Sequence, residues 1–517
     1  MDIPNFGIFS LLPPVITIVC AFITKQVLLS LFVGCFVAAT MLASFNPFLG
    51  LLDTFRDFVI APLTPFNVSV LILIFVIGGF SNVLDKGGAA TAFAEAVSKR
   101  VKTRRSAQTV SWAASCSIFF TDGSPLIIGP VCRPLTDKLK VSREKLAYII
   151  DSTGCTIPSL HPMSSWGAFI VGLIAVQFDA LGYAGNPFNY FIATVPYQLY
   201  PIAAISIVLI TILTGFDFGP MVKAEKRALK EGKLYRDGAV LLREESKIEI
   251  PEHAKYTIWT LLLPLLSVIV ITLVMFAYTG GFFTTEVTLL ESFQTAQAVP
   301  SLIYAFTIGG ILAAFLVART KAFKFKEAMK IWMKGVEGNV TIALILILAW
   351  GIGRASQAVG APSFIVSVTE GFLTPTMLYI AIFIAASLTS FATGTSWGTF
   401  SIFIPISIPL AYAIGAPIAP AIAVAVSGGI FGDHCSPISD TTIMSALGGS
   451  CDILDHVKTQ MPYAVVAAIA GVVGYFFVGF TGSALVGLLA LLISLIVFAF
   501  LLHKFWAVKV SDDVGAS

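Results

Sequence analysis

Long apolar stretches separated by short polar ones set the pattern of this chain. Runs of about 20 residues, the length of one bilayer crossing, lie at 6–23, 27–45, 67–84, 189–214, 257–278, 300–317, 336–353, 461–480 and 484–505, and each predicts a simple transmembrane helix. Other apolar segments do not fit that description. Residues 108–137 are too short for two crossings, have basic residues on both flanks (Arg104, Arg105, Lys138, Lys140) and carry the turn signal TDGSP at 121–125. They predict a re-entrant helical hairpin that enters and leaves from one side. Residues 377–414 predict a second hairpin, with the polar tip TGTSWG at 393–398 and uncharged flanks. Each hairpin precedes a helix interrupted by a polar Pro/Gly string, DSTGCTIPSLHPMSSWG at 151–167 and GDHCSPISDTT at 432–442. Lipid tolerates such a break only where protein encloses it and a ligand uses it.

Hairpin then broken helix, twice, with opposite predicted orientation, is the order of an inverted repeat. The expected fold is therefore an all-α polytopic membrane protein with inverted repeats, two re-entrant hairpins and two broken helices. Residues 107–188 and 377–452 would form the two halves of a transport unit. Residues 1–106, 189–376 and 453–517 would supply the remaining spans and tail, with a loop at 215–255 joining the halves.

Composition agrees. Of the 517 residues, 57% are hydrophobic and only 12% charged, against about 25% charged in a soluble domain. The net charge is only +3, so its placement is informative, and no nucleic-acid partner is expected. Basic residues gather at 99–105, 138–145, 215–255 and 319–334, whereas 178–189 and 279–299 have none. By the positive-inside rule the basic clusters face the cytoplasm, which predicts a multi-pass protein of the cytoplasmic membrane with its N-terminus outside and C-terminus inside. The first apolar run lacks a basic lead and a cleavage site and is expected to be retained as a span. Cys20, Cys35, Cys116, Cys132, Cys155, Cys435 and Cys451 sit singly, with no metal-binding spacing, and are expected to be small core residues.

The polar strings hold the candidate chemistry. Half-helix ends and freed carbonyls at mid-membrane coordinate dehydrated cations or anionic groups, and sodium requires oxygen ligands. Asp151, Ser152 and Thr153 with the tip residues Thr121, Asp122, Gly123 and Ser124 would form one half-site. Thr393, Thr395 and Ser396 with Asp433, Ser436, Ser439, Asp440 and Thr441 would form the other, and Thr121, Gly123, Ser124, His161, Trp166, Gly394, Trp397 and His434 would line a substrate pocket. Asp151, Thr153, Asp433 and Asp440 are the expected Na+ ligands. A charge at the centre of a span costs about 2.5–3.5 kcal/mol on insertion scales, so carboxylates at Asp122, Asp151, Asp433 and Asp440 call for a function. A buried carboxyl is favoured protonated until a cation replaces the proton, which lets one Asp exchange the two.

Plainer roles fit several of these residues. Asp151 and Asp440 could each cap a helix. His161 and His434 could titrate or make a structural hydrogen bond. Trp166 and Trp397 could line a pocket, anchor at an interface or pack. Arg354 could grip a carboxylate or snorkel to the outer interface.

Three segments, GPVCRPLTDKLKVSREKLAYIIDSTG at 129–154, TSFATGTSWGTF at 389–400 and GDHCSPISDTTIMSALGGSCDILDHVKTQMPYA at 432–464, closely resemble the NhaC-type Na+/H+ antiporter family. The resemblance implies a secondary transporter of the ion transporter superfamily, dimeric, with a transport domain that moves against a scaffold as an elevator. It carries over to Asp151 through Thr153, Thr393 through Ser396, and Asp433, His434, Ser436, Ser439, Asp440 and Thr441. The first hairpin tip departs from it. Many members resemble FFDDYAN there, whereas this chain reads FFTDGSP at 119–125. One carboxylate is lost and the Gly and Ser leave more room.

Na+/H+ antiport is the leading expectation, with Asp151 and Asp433 sharing cation and proton. A sodium-coupled carrier of a small organic anion or amino acid is the alternative. The partners are then the lipid bilayer, small ions and, in the alternative, an organic solute; no cofactor is expected beyond Na+ as transported or coupling ion. An enzyme would need a nucleophile with a base, or a metal triad, and only His434 beside Asp433 and Cys435 offers a start. Inverted broken helices also favour alternating access over a channel.

Overall fold

A computed structural model describes residues 6–24, 26–88, 101–120, 123–241, 257, 259–285, 287–321, 323–361, 363–364, 367, 373–505 and 508–509. The regular structure of the described residues is helical apart from two two-residue strands, in which Phe216 and Asp217 pair antiparallel with Lys509 and Val508. Among the described residues nine helices are long and apolar enough to cross a bilayer, and three sharply bent pairs raise the total to 12.

The helices α1 (Leu12–Thr24) and α2 (Val27–Leu42) match predicted spans. Next comes α3 (Pro47–Asp53), which continues as a π-helical turn and folds back from α2 by 119°. Its N-cap is Asn46, whose side chain accepts from the Phe48 and Leu49 amides. Then α4 (Pro65–Lys86) forms another expected span.

Both hairpins are present. The first pairs α5 (Arg104–Ser117) with α6 (Ser124–Lys138); Thr103 and Ser106 make a capping box at its start and Pro125 stands in the first turn of α6. The broken helix follows as α7 (Arg143–Gly154), α8 (Ile157–Leu160) and α9 (Ser165–Leu181), bent by 41°. The predicted span 189–214 is itself bent, by 48°, between α10 (Pro187–Thr194) and α11 (Leu199–Thr214), with Pro196 in the intervening turn.

Within the predicted cytoplasmic loop lies α12 (Pro220–Glu231), an amphipathic helix that buries Met221, Val222, Ala224, Glu225 and Ala228. The helices α13 (Trp259–Thr279), α14 (Leu289–Thr295), α15 (Ala298–Arg319), α16 (Phe325–Gly338) and α17 (Val340–Ala358) follow. The second hairpin is α18 (Pro375–Thr393) with α19 (Ser396–Ala413), and its broken helix is α20 (Ile418–Cys435) with α21 (Asp440–Gly449). The chain closes with α22 (Ile453–Thr481) and α23 (Ala484–Phe505). The start of α22 lies eight residues before the apolar run at 461–480, because its first turns carry polar side chains.

Glycines let these segments approach closely. A Cβ on Gly129 of α6 would lie 2.3 Å from the backbone carbon of Gly448 in α21, and one on Gly448 would lie 2.2 Å from the Pro125 carbonyl oxygen. The first hairpin therefore rests on the broken helix of the second half. On α20, a Cβ at Gly432 would sit 2.2 Å from the Ser387 carbonyl of the second hairpin. The tip of that hairpin turns at Gly394 (φ +69°), where a side chain would meet the Ile438 carbonyl at 2.7 Å. Trp166 and Trp397, one from each half, are buried and meet edge-on with centroids 5.7 Å apart, so the two indoles pack the halves together.

Gly448→Val should force α6 from α21 and lower stability by about 1–3 kcal/mol. Thermal unfolding of the purified protein checks this; an unchanged midpoint contradicts the close crossing.

Candidate functional site

Asp433 occupies the last turn of α20, where three helix ends converge. Its Oδ2 accepts from the Ser396 hydroxyl at 2.9 Å and from the Thr441 hydroxyl at 3.2 Å. Ser396 opens α19, whose N-cap is Thr395, and Thr441 lies in the first turn of α21, whose N-cap is Ser439. Both helix N-termini thus lie beside this carboxylate, where their dipoles favour negative charge. The Asp433 carbonyl accepts from the Ser436 amide at 3.0 Å and the Thr442 hydroxyl at 3.4 Å. Ser439 and Thr441 hydroxyls are 3.0 Å apart. Ser396 and Ser390 both donate to the Gly429 carbonyl, at 3.3 and 2.5 Å, and Ser436 donates to Phe391 at 2.8 Å. Asp433 is buried, yet among the described residues its Oδ1 has no hydrogen-bond partner. Such an atom calls for a ligand, because unpaired buried acceptors are rare.

Asp151, near the end of α7, is also fully buried, but its surroundings differ. Its Oδ1 accepts from Ser445 at 3.0 Å, and its Oδ2 from Gln460 at 2.6 Å and His456 Nε2 at 3.2 Å. The Gln460 amide also donates to the His434 carbonyl at 2.6 Å. His434 bonds Ser152 through Nε2 at 2.9 Å and Tyr200 through Nδ1 at 2.6 Å, and its Nε2 lies 3.9 Å from Asp151. Both oxygens of Asp151 are therefore occupied, and His434 has the structural hydrogen bonds that one of its two expected roles required. Asp151, Cys155 and His434 offer ligand atoms within 4.8 Å of one another. With both His434 nitrogens engaged, the trio reads as hydrogen-bonded packing.

The remaining expected residues are placed as follows. The Thr153 hydroxyl donates to the Ile149 carbonyl at 2.6 Å. Thr393 likewise donates to Thr389 at 2.8 Å, and Thr395 accepts from the Gly398 amide at 3.5 Å. Asp440 is exposed in the first turn of α21 and accepts from the Thr441 amide at 2.9 Å, unlike the buried Asp433. His161 is half-buried, stacks on Phe119 with centroids 3.8 Å apart and accepts from the Met163 amide. Gly123 stands as the N-cap of α6; Ser124 beside it is fully buried, and its hydroxyl has no partner among the described residues. A Cβ on Gly154 would lie 2.5 Å from that hydroxyl, so the first tip touches the end of α7. Thr121 and Asp122 lie outside the described residues.

Four site residues were not anticipated: Ser445 on α21, His456 and Gln460 on α22, and Tyr200 on α11. His456 and Gln460 stand four apart, on one helix face. Both fall in the segment 432–464 that carries the family resemblance, and that was the available signal.

A second polar layer braces α7 from below. Lys145 pairs with Asp217 at 2.7 Å, which also accepts from Tyr463 at 2.7 Å. Glu225 of α12 is buried, pairs with Arg104 and accepts from the Ser142 amide at 2.8 Å. Burial pushes the Glu225 carboxyl up, and the Arg104 guanidinium opposes that shift. Glu144 pairs with Arg227 of α12 at 2.8 Å.

The model of the Na+/H+ antiporter family matches residues 159–480, more than half of the chain. The chain belongs to the Na+/H+ antiporter family. An uncharacterised protein of Haemophilus influenzae is 32% identical over 98% of this chain and 97% of its own length. A more local match, 26% identical over 32% of this chain and 36% of its partner, is to a protein of Bacillus subtilis named malate-2H(+)/Na(+)-lactate antiporter. In fold, the YdaH transporter of Alcanivorax borkumensis aligns with 85% of this chain and 89% of its own at a TM-score of 0.54 and 13% identity. As a Na+/H+ antiporter family member with a transporter fold, the protein is a multi-pass membrane transporter and not an enzyme.

Gln460→Ala should leave Asp151 with one hydrogen bond fewer and cost about 1–3 kcal/mol. Ser445→Ala should do the same more weakly. Thermal unfolding measures both, and wild-type stability in Gln460→Ala would contradict the bracing role.

Proposed function

We propose that this secondary transporter exchanges Na+ for protons, with Asp433 as the carboxylate that binds both. The observation that carries the reading is the unpartnered, buried Oδ1 of Asp433, set against the fully occupied Asp151. A buried carboxylate with an open oxygen must take a cation or a proton to be stable. Hydroxyls of Ser396, Ser439 and Thr441 and the carbonyls of Gly429 and Asp433 supply the hard oxygen donors that sodium needs. Sodium entering at Oδ1 displaces the proton, and protonation from the opposite side expels sodium. Asp151 keeps the paired half-site rigid; Thr153 and Asp440 are assigned supporting places along the ion path.

Movement follows from the same contacts. His456 and Gln460 hold α22 to Asp151 and to the His434 carbonyl, and Tyr200 holds α11 to His434. Sliding α22 past the site would break buried hydrogen bonds. The moving unit therefore includes α11 and α22 with both hairpins and both broken helices, a larger body than residues 107–188 and 377–452. It works as an elevator built from inverted repeats, in a homodimer in the cytoplasmic membrane with the N-terminus outside.

A second reading has its own support. The local match to the malate-2H(+)/Na(+)-lactate antiporter and the buried, unpartnered Ser124 hydroxyl at the altered tip favour an organic acid carried by the same sodium site.

Liposomes holding the protein and an internal pH dye, given an inward sodium gradient, test both. Sodium-dependent proton flux that Asp433→Asn abolishes is the expected result. Wild-type flux in the variant overturns the assignment; flux that appears only with added lactate or malate moves the cargo to the second reading.

A further inference from the structure

A cavity of about 300 Å³ lies between the turn before α4, the end of α9 and the outer part of α17. Thr64, Asn67, Asp179, Tyr183 and Arg354 supply its polar wall. It shares no residue with the Asp433 or Asp151 clusters. Asn67 is committed to the Pro62 carbonyl at 2.6 Å, and the Tyr183 hydroxyl to that of Tyr190. Arg354 and Asp179 are different. The Arg354 side chain is half-buried, and among the described residues it makes no hydrogen bond or ion pair; the exposed Asp179 carboxylate makes none either. Two opposite charges thus face one cavity without meeting.

A snorkelling arginine extends its head past the protein into headgroups or water. Arg354 instead faces walls contributed by α4 and α9. Its five donors form a fork suited to a carboxylate. A simple carboxylate on that fork would leave the Asp179 charge facing it, whereas a molecule that also carries an ammonium group satisfies both. The volume falls at the small end of ligand pockets, which begin near 300 Å³.

We propose that this cavity binds a small zwitterion of the α-amino-acid class, its carboxylate on Arg354 and its ammonium on Asp179. The site stands apart from the ion-exchange reading and survives if that reading fails. Because its walls come from α4 and α17 on one side and α9 on the other, an occupant ties the continuation of the first broken helix to its neighbours.

The test titrates the purified full-length protein with L-alanine, propionate or ethylamine, and follows the thermal midpoint, which rises with ligand that binds only the folded state. Alanine should give a saturable rise, with propionate and ethylamine each weaker by roughly tenfold or more. Arg354→Gln and Asp179→Asn should each remove the alanine response. No alanine response in wild type, an equal response to propionate, or an alanine response that persists in Arg354→Gln overturns the proposal. The comparison of ligands on the wild-type protein decides the matter even if a variant fails to fold.

Discussion

Two carboxylates buried at the ends of interrupted helices are the constraint on which the rest of the structure depends. Each must be neutralised or solvated by protein, and the two are treated differently. Asp151 receives Ser445, Gln460 and His456, so both its oxygens are satisfied. Among the described residues, Asp433 receives two hydroxyls on one oxygen and none on the other. The first arrangement suits a fixed support and the second suits a site that exchanges its occupant.

The surrounding architecture serves that difference. Breaking α20 from α21 places an N-terminus beside Asp433, and the tip of the second hairpin adds another. Both ends can come this close because Gly394 and Gly432 carry no side chain. Across the halves, Gly129 and Gly448 bring the first hairpin onto α21, and the Trp166–Trp397 contact closes the opposite flank. Below, the Lys145–Asp217 and Arg104–Glu225 pairs fix the bases of α7 and α5 against α12 and its lead-in strand. Removing one partner of a buried pair is costly, so this layer behaves as a rigid floor.

The hairpins and helix breaks were legible in the chain because Pro, Gly and hydroxyl residues interrupt apolar runs there, and nothing but a built turn explains such a string at bilayer depth. Asp433, Ser396 and Thr441 followed from the same strings. His456 and Gln460 were overlooked for the opposite reason. They precede the apolar run at 461–480, so a hydropathy reading starts the helix after them. Tyr200 sits within a plainly apolar span, and no local pattern says which partner it meets. Asp440 and Asp433 look alike in the string GDHCSPISDTT, but a residue in the first turn of a helix can face outward while one closing the previous helix faces in. The bend at Pro196 was hidden because the apolar character continues across it.

The central claim is that sodium and a proton compete for Asp433. Proton release on adding sodium to the purified protein in weakly buffered solution measures that competition directly. The account predicts saturable release from wild type and none from folded Asp433→Asn. Equal release from the variant would contradict it and place the exchange elsewhere in the protein.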